Sequence, residues 1–171
     1  LKLSDQFPTQ HTISAEGTKA FFDYIEAHPE ADLTISHFPA GQLGKPTAQL
    51  DLVQDRVADI AVVGISYVPE KLPISTMMEL PGLYEDTFGG YETIRRLLQE
   101  ELNDREFKPA GVKPLWPVVT PQYQLLLTRE DPITDISDLK GVKARVAGGT
   151  AELVASALGL TPVRMPAPDL Y

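Results

Sequence analysis

Residues 60–63 read Ile60-Ala61-Val62-Val63, an unbroken apolar run with β-branched residues at three of its four positions. A strand that alternates apolar and polar is half-buried; one that is apolar throughout belongs in a sheet covered on both faces, as parallel sheets are. Upstream, Asp32-Leu33-Thr34-Ile35-Ser36-His37-Phe38 and Leu1-Lys2-Leu3-Ser4-Asp5 alternate and read as two further strands. Between them lie helical patterns. The first places Ile13, Gly17, Ala20, Phe21, Tyr24 and Ile25 on one face, with Thr12 or Ser14 as N-cap; the second follows Pro46 and buries Leu50, Val53 and Val57. The order β-α-β-α-β predicts an open α/β sheet.

Beyond Val63, Pro69 to Pro81 reads as proline-rich connecting sequence, and a long amphipathic helix follows with Phe88, Tyr91, Ile94, Leu98 and Leu102 on one side. Arg95, Arg96, Glu100 and Glu101 form its solvated face. Val112–Val119 and Tyr123–Thr128 read as extended segments of a crossover, followed by a polar turn at Arg129-Glu130-Asp131-Pro132. A strand over Val142–Val146, a helix from Gly148-Gly149-Thr150 to Leu158 closed by Gly159, and a short strand over Thr161–Arg164 complete the pattern. A lobe boundary is expected near residues 119–124.

With 171 residues the chain has room for one domain or two small lobes. Its 15 basic and 24 acidic residues give a net charge of −9, which disfavours nucleic acid or an anionic membrane surface as a general partner. The chain has no cysteine, so thiol catalysis, disulfides and cysteine-held metals are excluded. His11, His28 and His37 lack metal-ligand spacing, and no metal or cofactor is expected. Gly41-Gln42-Leu43-Gly44-Lys45-Pro46 fails as a phosphate loop, and Gly64-Ile65-Ser66-Tyr67-Val68 lacks the second glycine of a nucleophile elbow. No carboxylate is read in a stretch apolar enough to raise its pKa. No apolar run is long enough to span a bilayer, and the opening at Leu1 fits a mature or trimmed N-terminus.

Arg145 is the residue that invites chemistry. It ends a strand and is followed by Gly148-Gly149-Thr150 at a helix start. Ligands in open α/β sheets bind outside the carboxyl ends of strands, helix N-termini favour anions, and a guanidinium grips a carboxylate through two parallel bonds. An arginine paired with a neighbouring acid fits the same residues, and they leave both readings open. Tyr67, Trp116 and Tyr123 are aromatic candidates for a cleft wall or for packing; Gln6 and Gln10, near a strand end, are secondary polar candidates.

Four segments, in order, resemble the TRAP transporter solute-binding proteins (DctP-like). Pro39-Ala40-Gly41-Gln42-Leu43-Gly44 with Val57-Ala58-Asp59-Ile60-Ala61 is similar to their "P-x-x-Q-L-G … G-x-x-D" stretch, and Leu80-Pro81-Gly82-Leu83-Tyr84 to "L-P-[FG]-[LY]". Asp138-Leu139-Lys140-Gly141-Val142-Lys143-Ala144-Arg145-Val146 resembles "D-L-K-G-x-K-x-R-V". Leu158-Gly159-Leu160-Thr161-Pro162-Val163-Arg164-Met165-Pro166, with Asp169-Leu170-Tyr171, resembles "L-G-A-x-P-V-x-M-P-x-x-E-x-Y".

The resemblance implies a two-lobed periplasmic binding protein of α/β fold with a hinge and an interlobe cleft. Such a protein captures a small organic acid and delivers it to an integral-membrane TRAP permease; it is not an enzyme, and is expected as a monomer in the periplasm after loss of a signal peptide. In the family the motif arginine, here Arg145, pairs with the substrate carboxylate. Residues 1–122 are expected to form most of lobe I and residues 123–171 the beginning of lobe II, the remainder of the family's length lying beyond Tyr171. This sequence departs from the family in three places. No second arginine stands in Tyr123-Gln124-Leu125-Leu126; the one asparagine, Asn103, is on an outer helix; and Pro166-Ala167-Pro168 replaces an aromatic, which puts Ala167 at the site. One carboxylate on a small or aromatic body therefore fits better than a dicarboxylate or sialic acid. A ligand-sensing module of a signalling system and an enzyme on a similar scaffold are the alternative readings.

Overall fold

The computed structural model describes all residues except 122, 129–131 and 171, so the expected polar turn at residues 129–132 lies largely outside the described residues. Three short strands, β1 (Lys2–Ser4), β2 (Ser36–Phe38) and β3 (Ile60–Ala61), form a parallel sheet in the order β2-β1-β3. Leu3 pairs with His37 on one side and Ile60 on the other, so the first strand is the middle of the sheet. A second parallel sheet pairs β4 (Lys143–Val146) with β5 (Thr161–Arg164), Arg145 lying opposite Val163.

The helices follow the sequence with instructive differences. Wide, π-type turns over Ile13–Thr18 lead into α1 (Lys19–Ala27). Thr12 makes no capping bond, and Ala20 and Tyr24 are exposed, contrary to the expected apolar stripe. Ser14 and Thr18 are buried instead: Thr18 meets a fully covered carboxylate, Asp5, which accepts hydrogen bonds from Thr18 Oγ1 (3.0 Å) and the Phe7 N–H (2.9 Å), while Ser14 Oγ has no partner among the described residues. α2 (Gln49–Gln54) stops where Arg56 turns left-handed (φ 60°), leaving Val57 outside the helix and exposed.

The proline-rich connection contains α3 (Pro73–Thr76) and one 3₁₀ turn, Met77–Glu79. Its position is set by Glu106, which is buried and accepts from the Ile74 N–H (2.6 Å), the Ser75 N–H (2.9 Å) and Ser75 Oγ. The carboxylate thus satisfies amides that the helix start leaves free. α4 (Thr87–Leu97) is N-capped by Asp86 and widens into π-type turns over Leu98–Phe107. Leu98 and Leu102 are buried as the pattern requires, but Phe88 is 76% exposed.

One core cluster gathers Leu50, Val68 and Leu72; another, under the second sheet, gathers Leu139, Ala144, Val146, Ala155 and Leu160. Residues 112–119 and 123–128 run without strand pairing, and Leu115, Val118, Leu125 and Leu126 are exposed along them. α5 (Gly149–Ala157) follows β4, and Gly159 (φ 82°) takes the left-handed turn beyond its end. No helix among the described residues is long and apolar enough to cross a membrane.

Candidate functional site

Alternation along β4 turns Ala144 and Val146 into the core and leaves Lys143 and Arg145 exposed on the other face. Arg145 Nε donates to the Met165 carbonyl just beyond β5 (2.7 Å), and an Nη reaches the hydroxyl oxygen of Tyr67, in the turn that follows β3 (3.3 Å). That oxygen also accepts from the Ala167 N–H (3.2 Å). Arg145 has no carboxylate partner among the described residues, so the ion-paired reading of this arginine does not describe it. The Met165 and Tyr67 bonds use two of the five guanidinium N–H groups, and the phenolic hydrogen of Tyr67 is left to donate. The result is a cluster of donors around a positive charge, suited to an anionic oxygen ligand.

Gln6 follows the central strand and is 3% exposed. A β-carbon at Gly64 would stand 2.9 Å from the Tyr67 ring and 3.1 Å from Gln6 Nε2, so the absence of a side chain there lets the two pack together. Gln6 Oε1 is buried with no hydrogen-bond partner among the described residues. Gln6, Tyr67, Arg145 and Ala167 are therefore brought to one place at the carboxyl ends of strands, where open α/β sheets hold ligands.

The helix start that follows is covered. Thr150 is buried and its hydroxyl donates to the Thr76 carbonyl (2.8 Å). A β-carbon at Gly148 (φ 128°) would stand 2.8 Å from the Ser66 carbonyl oxygen, and one at Gly149 (φ 55°) 2.8 Å from Thr76 Cγ2. Gly148, Gly149 and Thr150 thus form a tight joint between the two sheets, where the sequence suggested an open anion site.

Next to this joint lies a group that the sequence reading passed over. Ser66 Oγ donates to Glu79 Oε1, and Glu79 Oε2 is buried without a partner among the described residues. Burial holds the Glu79 carboxyl above its ordinary pKa, against the opposing effect of the Ser66 bond. This corrects the expectation that no carboxylate sits in apolar surroundings; Met77-Met78-Glu79-Leu80 carried the signal. The phenol of Tyr123 lies against Ser66 and Thr120, and its pKa is raised by burial and by Glu79. The tyrosine as a whole is 68% exposed, so it is the hydroxyl end that is tucked in.

An acid whose folded pKa is raised contributes stability below its unfolded value, and that contribution is lost as pH rises through the folded value. Thermal unfolding of the full-length protein from pH 4.5 upward should therefore show a fall that Glu79→Gln flattens. Parallel pH profiles for the two proteins would exclude Glu79 as its source.

The remaining candidates lie elsewhere. Trp116 packs its ring on Phe21 of α1 at 4.8 Å. Gln10 is exposed before the first helical turns, and no hydrogen bond among the described residues joins it to the cluster. Arg164 is held by Glu152 (2.7 Å) and Glu70 (3.7 Å). Two surface concavities, one over Glu70, Ile74 and Glu106 and one over Met78, Leu83 and Leu97, do not include Arg145, Tyr67 or Gln6 and lack a comparable convergence of unpaired donors. No group of three or more His, Asp or Glu among the described residues is arranged to hold a metal ion.

Two small parallel sheets, with Arg145 and Tyr67 meeting between them, make an α/β fold with a polar cluster at strand ends. The profile of "Bacterial extracellular solute-binding protein, family 7" matches residues 4–171, and the chain belongs to that family. A solute-binding protein of Albidiferax ferrireducens is 23% identical over the whole chain and 51% of its own length. Among solved structures, a marine metagenome TRAP solute-binding protein specific for aromatic acids, in complex with 3-hydroxybenzoate, superposes with a TM-score of 0.80 at 24% identity, covering 99% of this chain and 52% of that one. A Bordetella bronchiseptica TRAP protein with bound mandelate gives 0.78 at 24% identity, over 99% and 53%. A Bordetella pertussis extracytoplasmic solute receptor binding pyroglutamic acid gives 0.85 at 20% identity, over 99% and 55%. The fold is thus the two-lobed periplasmic type, and the chain spans about half the length of the relatives it matches.

Proposed function

We propose that this chain is part of the extracytoplasmic solute-binding component of a TRAP-type transporter, capturing a small organic acid in the periplasm and delivering it to a membrane permease. The observation that carries this reading is Arg145, a cation with no carboxylate partner among the described residues, joined to Tyr67 at the meeting of the two sheets. Arg145 holds the ligand carboxylate, Tyr67 donates its phenolic hydrogen, and the Gln6 amide supplies a further polar contact. Tyr67 and Tyr123 add aromatic surface, and Ala167, whose N–H is bonded to Tyr67, fixes the edge of the site. Gly148, Gly149 and Thr150 act behind it as the joint, while Trp116, packed on Phe21, and Gln10 are not joined to the Arg145–Tyr67 cluster by any bond among the described residues. Residues 1–122 belong to lobe I and residues 123–171 open lobe II. The relatives crystallised with 3-hydroxybenzoate, mandelate and pyroglutamic acid hold ligands that share a carboxyl group, which supports an acid here. Binding, with no chemical change to the ligand, is the expected activity.

The test is a thermal-shift screen of the full-length protein against small organic acids and neutral amines. A cognate acid at 100 times its dissociation constant stabilises by about 2.7 kcal/mol, a readily measured change. Stabilisation by amines alone would show that the site does not take carboxylates.

A further inference from the structure

Two side chains of the proposed site are fastened to one short turn. After β5, residues 165–167 leave the sheet and enter a 3₁₀ turn, Ala167–Leu170. The Met165 carbonyl accepts from Arg145 Nε (2.7 Å), the Ala167 N–H donates to the Tyr67 hydroxyl oxygen (3.2 Å), and an Arg145 Nη donates to that same oxygen (3.3 Å). These three bonds close a ring that runs from the turn to the arginine, on to the tyrosine and back to the turn. Arg145 and Tyr67 lie 78 residues apart in the chain, so the turn, and not the local sequence, brings them into register. Its other backbone groups are committed as well: the Met165 N–H donates to the Val146 carbonyl (3.0 Å), and the Pro166 carbonyl accepts from the Asp169 N–H (3.1 Å). Pro166 stands between the carbonyl that holds Arg145 and the amide that holds Tyr67. Its ring fixes its own φ at about −65°, removes the one N–H that would compete for a partner, and biases Met165 toward extended backbone.

Building on the carboxylate reading of Arg145, we propose that Pro166 is a positioning residue of the ligand site, holding the turn that sets Arg145 and Tyr67 in their binding orientation before an acid arrives. It touches no ligand and acts through those two side chains. A long arginine that must be ordered at the moment of binding costs affinity, and one already held is spared that cost. The ring of bonds leaves three guanidinium N–H groups and the phenolic hydrogen to meet a carboxylate. Replacing the proline by glycine gives the turn its widest choice of φ, so the Met165 carbonyl and the Ala167 N–H are free to move apart. Tyr67→Phe opens the same ring from the other side, because the Ala167 N–H and the Arg145 Nη both lose their acceptor. Two substitutions that open one ring share part of their effect, so their losses do not add.

The experiment is a double-mutant cycle on binding, read by calorimetric titration of the full-length protein with 3-hydroxybenzoate, mandelate and pyroglutamate and continued with whichever binds most tightly. Pro166→Gly should weaken that acid about fivefold or more, and Pro166→Ala, which restricts φ more than glycine does, should fall between glycine and the unaltered protein. In a Tyr67→Phe background the same Pro166→Gly change should cost about twofold or less. Thermal unfolding distinguishes this from a loss of stability: a merely structural proline lowers the melting temperature and leaves affinity, measured well below the transition, where it was. Unchanged affinity in both Pro166 variants overturns the proposal, and so does an equal loss from Pro166→Gly with and without the Tyr67 hydroxyl. Arg145→Ala keeps the two readings apart. Loss of binding there, with additive Pro166 and Tyr67 effects, leaves Arg145 as the carboxylate anchor and removes Pro166. Equal binding without Arg145, or no binding of any of the three acids, removes both.

Discussion

Replacing Arg145 by alanine should abolish most ligand affinity, by about 2–5 kcal/mol, the usual cost of truncating one partner of a buried charge pair. That corresponds to a loss of roughly thirtyfold to several thousandfold in Kd. In the free protein the side chain is exposed and its bonds to Met165 and Tyr67 are peripheral, so the same substitution should leave the unfolding transition nearly unchanged. Arg145→Lys keeps the charge but not the planar fork, and should recover only part of the binding. Titration with the acid that best stabilises the unaltered protein measures this directly. An alanine variant with unchanged affinity would remove Arg145 from the site.

The second large effect is structural. Gly148 has φ 128°, and a β-carbon there would lie 2.8 Å from the Ser66 carbonyl oxygen, a backbone atom that cannot swing aside. Gly148→Ala should cost about 2–4 kcal/mol, combining backbone strain with overpacking. Gly149→Ala should cost less, because φ 55° is within the left-handed region that other residues visit and its obstacle is the Thr76 side chain. Denaturant unfolding of the two variants orders them. Equal midpoints would mean that the joint is looser than its geometry indicates. Because the joint lies directly behind Arg145, Gly148→Ala should also weaken ligand binding without touching the ligand.

The β-α-β-α-β order of residues 1–63 was legible because alternation marks the strand Ser36–Phe38 and an apolar run marks Ile60 and Ala61, although that run is half-buried and not covered on both faces, and pairs only over its first two residues. Arg145 could be singled out because it lies near the carboxyl end of β4, and Tyr67 because it stands in the turn that follows β3. What escaped the sequence depended on partners distant along the chain. Ser14, a candidate N-cap from the sequence, is buried inside the first helical turns, and Thr18 is buried where its hydroxyl donates to Asp5. Glu106, which no local pattern in the sequence marks, holds the start of α3. Gly148 to Thr150 looked like an open helix start, since nothing local announces that Ser66 and Thr76 close over it. Glu79 was the one omission with a local sign, an acid flanked by Met78 and Leu80.

The placement of β1 between β2 and β3 bears on the order in which the molecule can assemble. Residues 2–4 occupy the middle of the sheet, and their two neighbours come from residues 36–38 and 60–61. Pairing Leu3 with His37 closes a separation of 34 residues and pairing it with Ile60 one of 57, and closing such separations is slow compared with forming helices. Until then Leu3, fully covered in the finished protein, stays in water. This sheet is therefore completed late in folding, after the local helices between its strands can form.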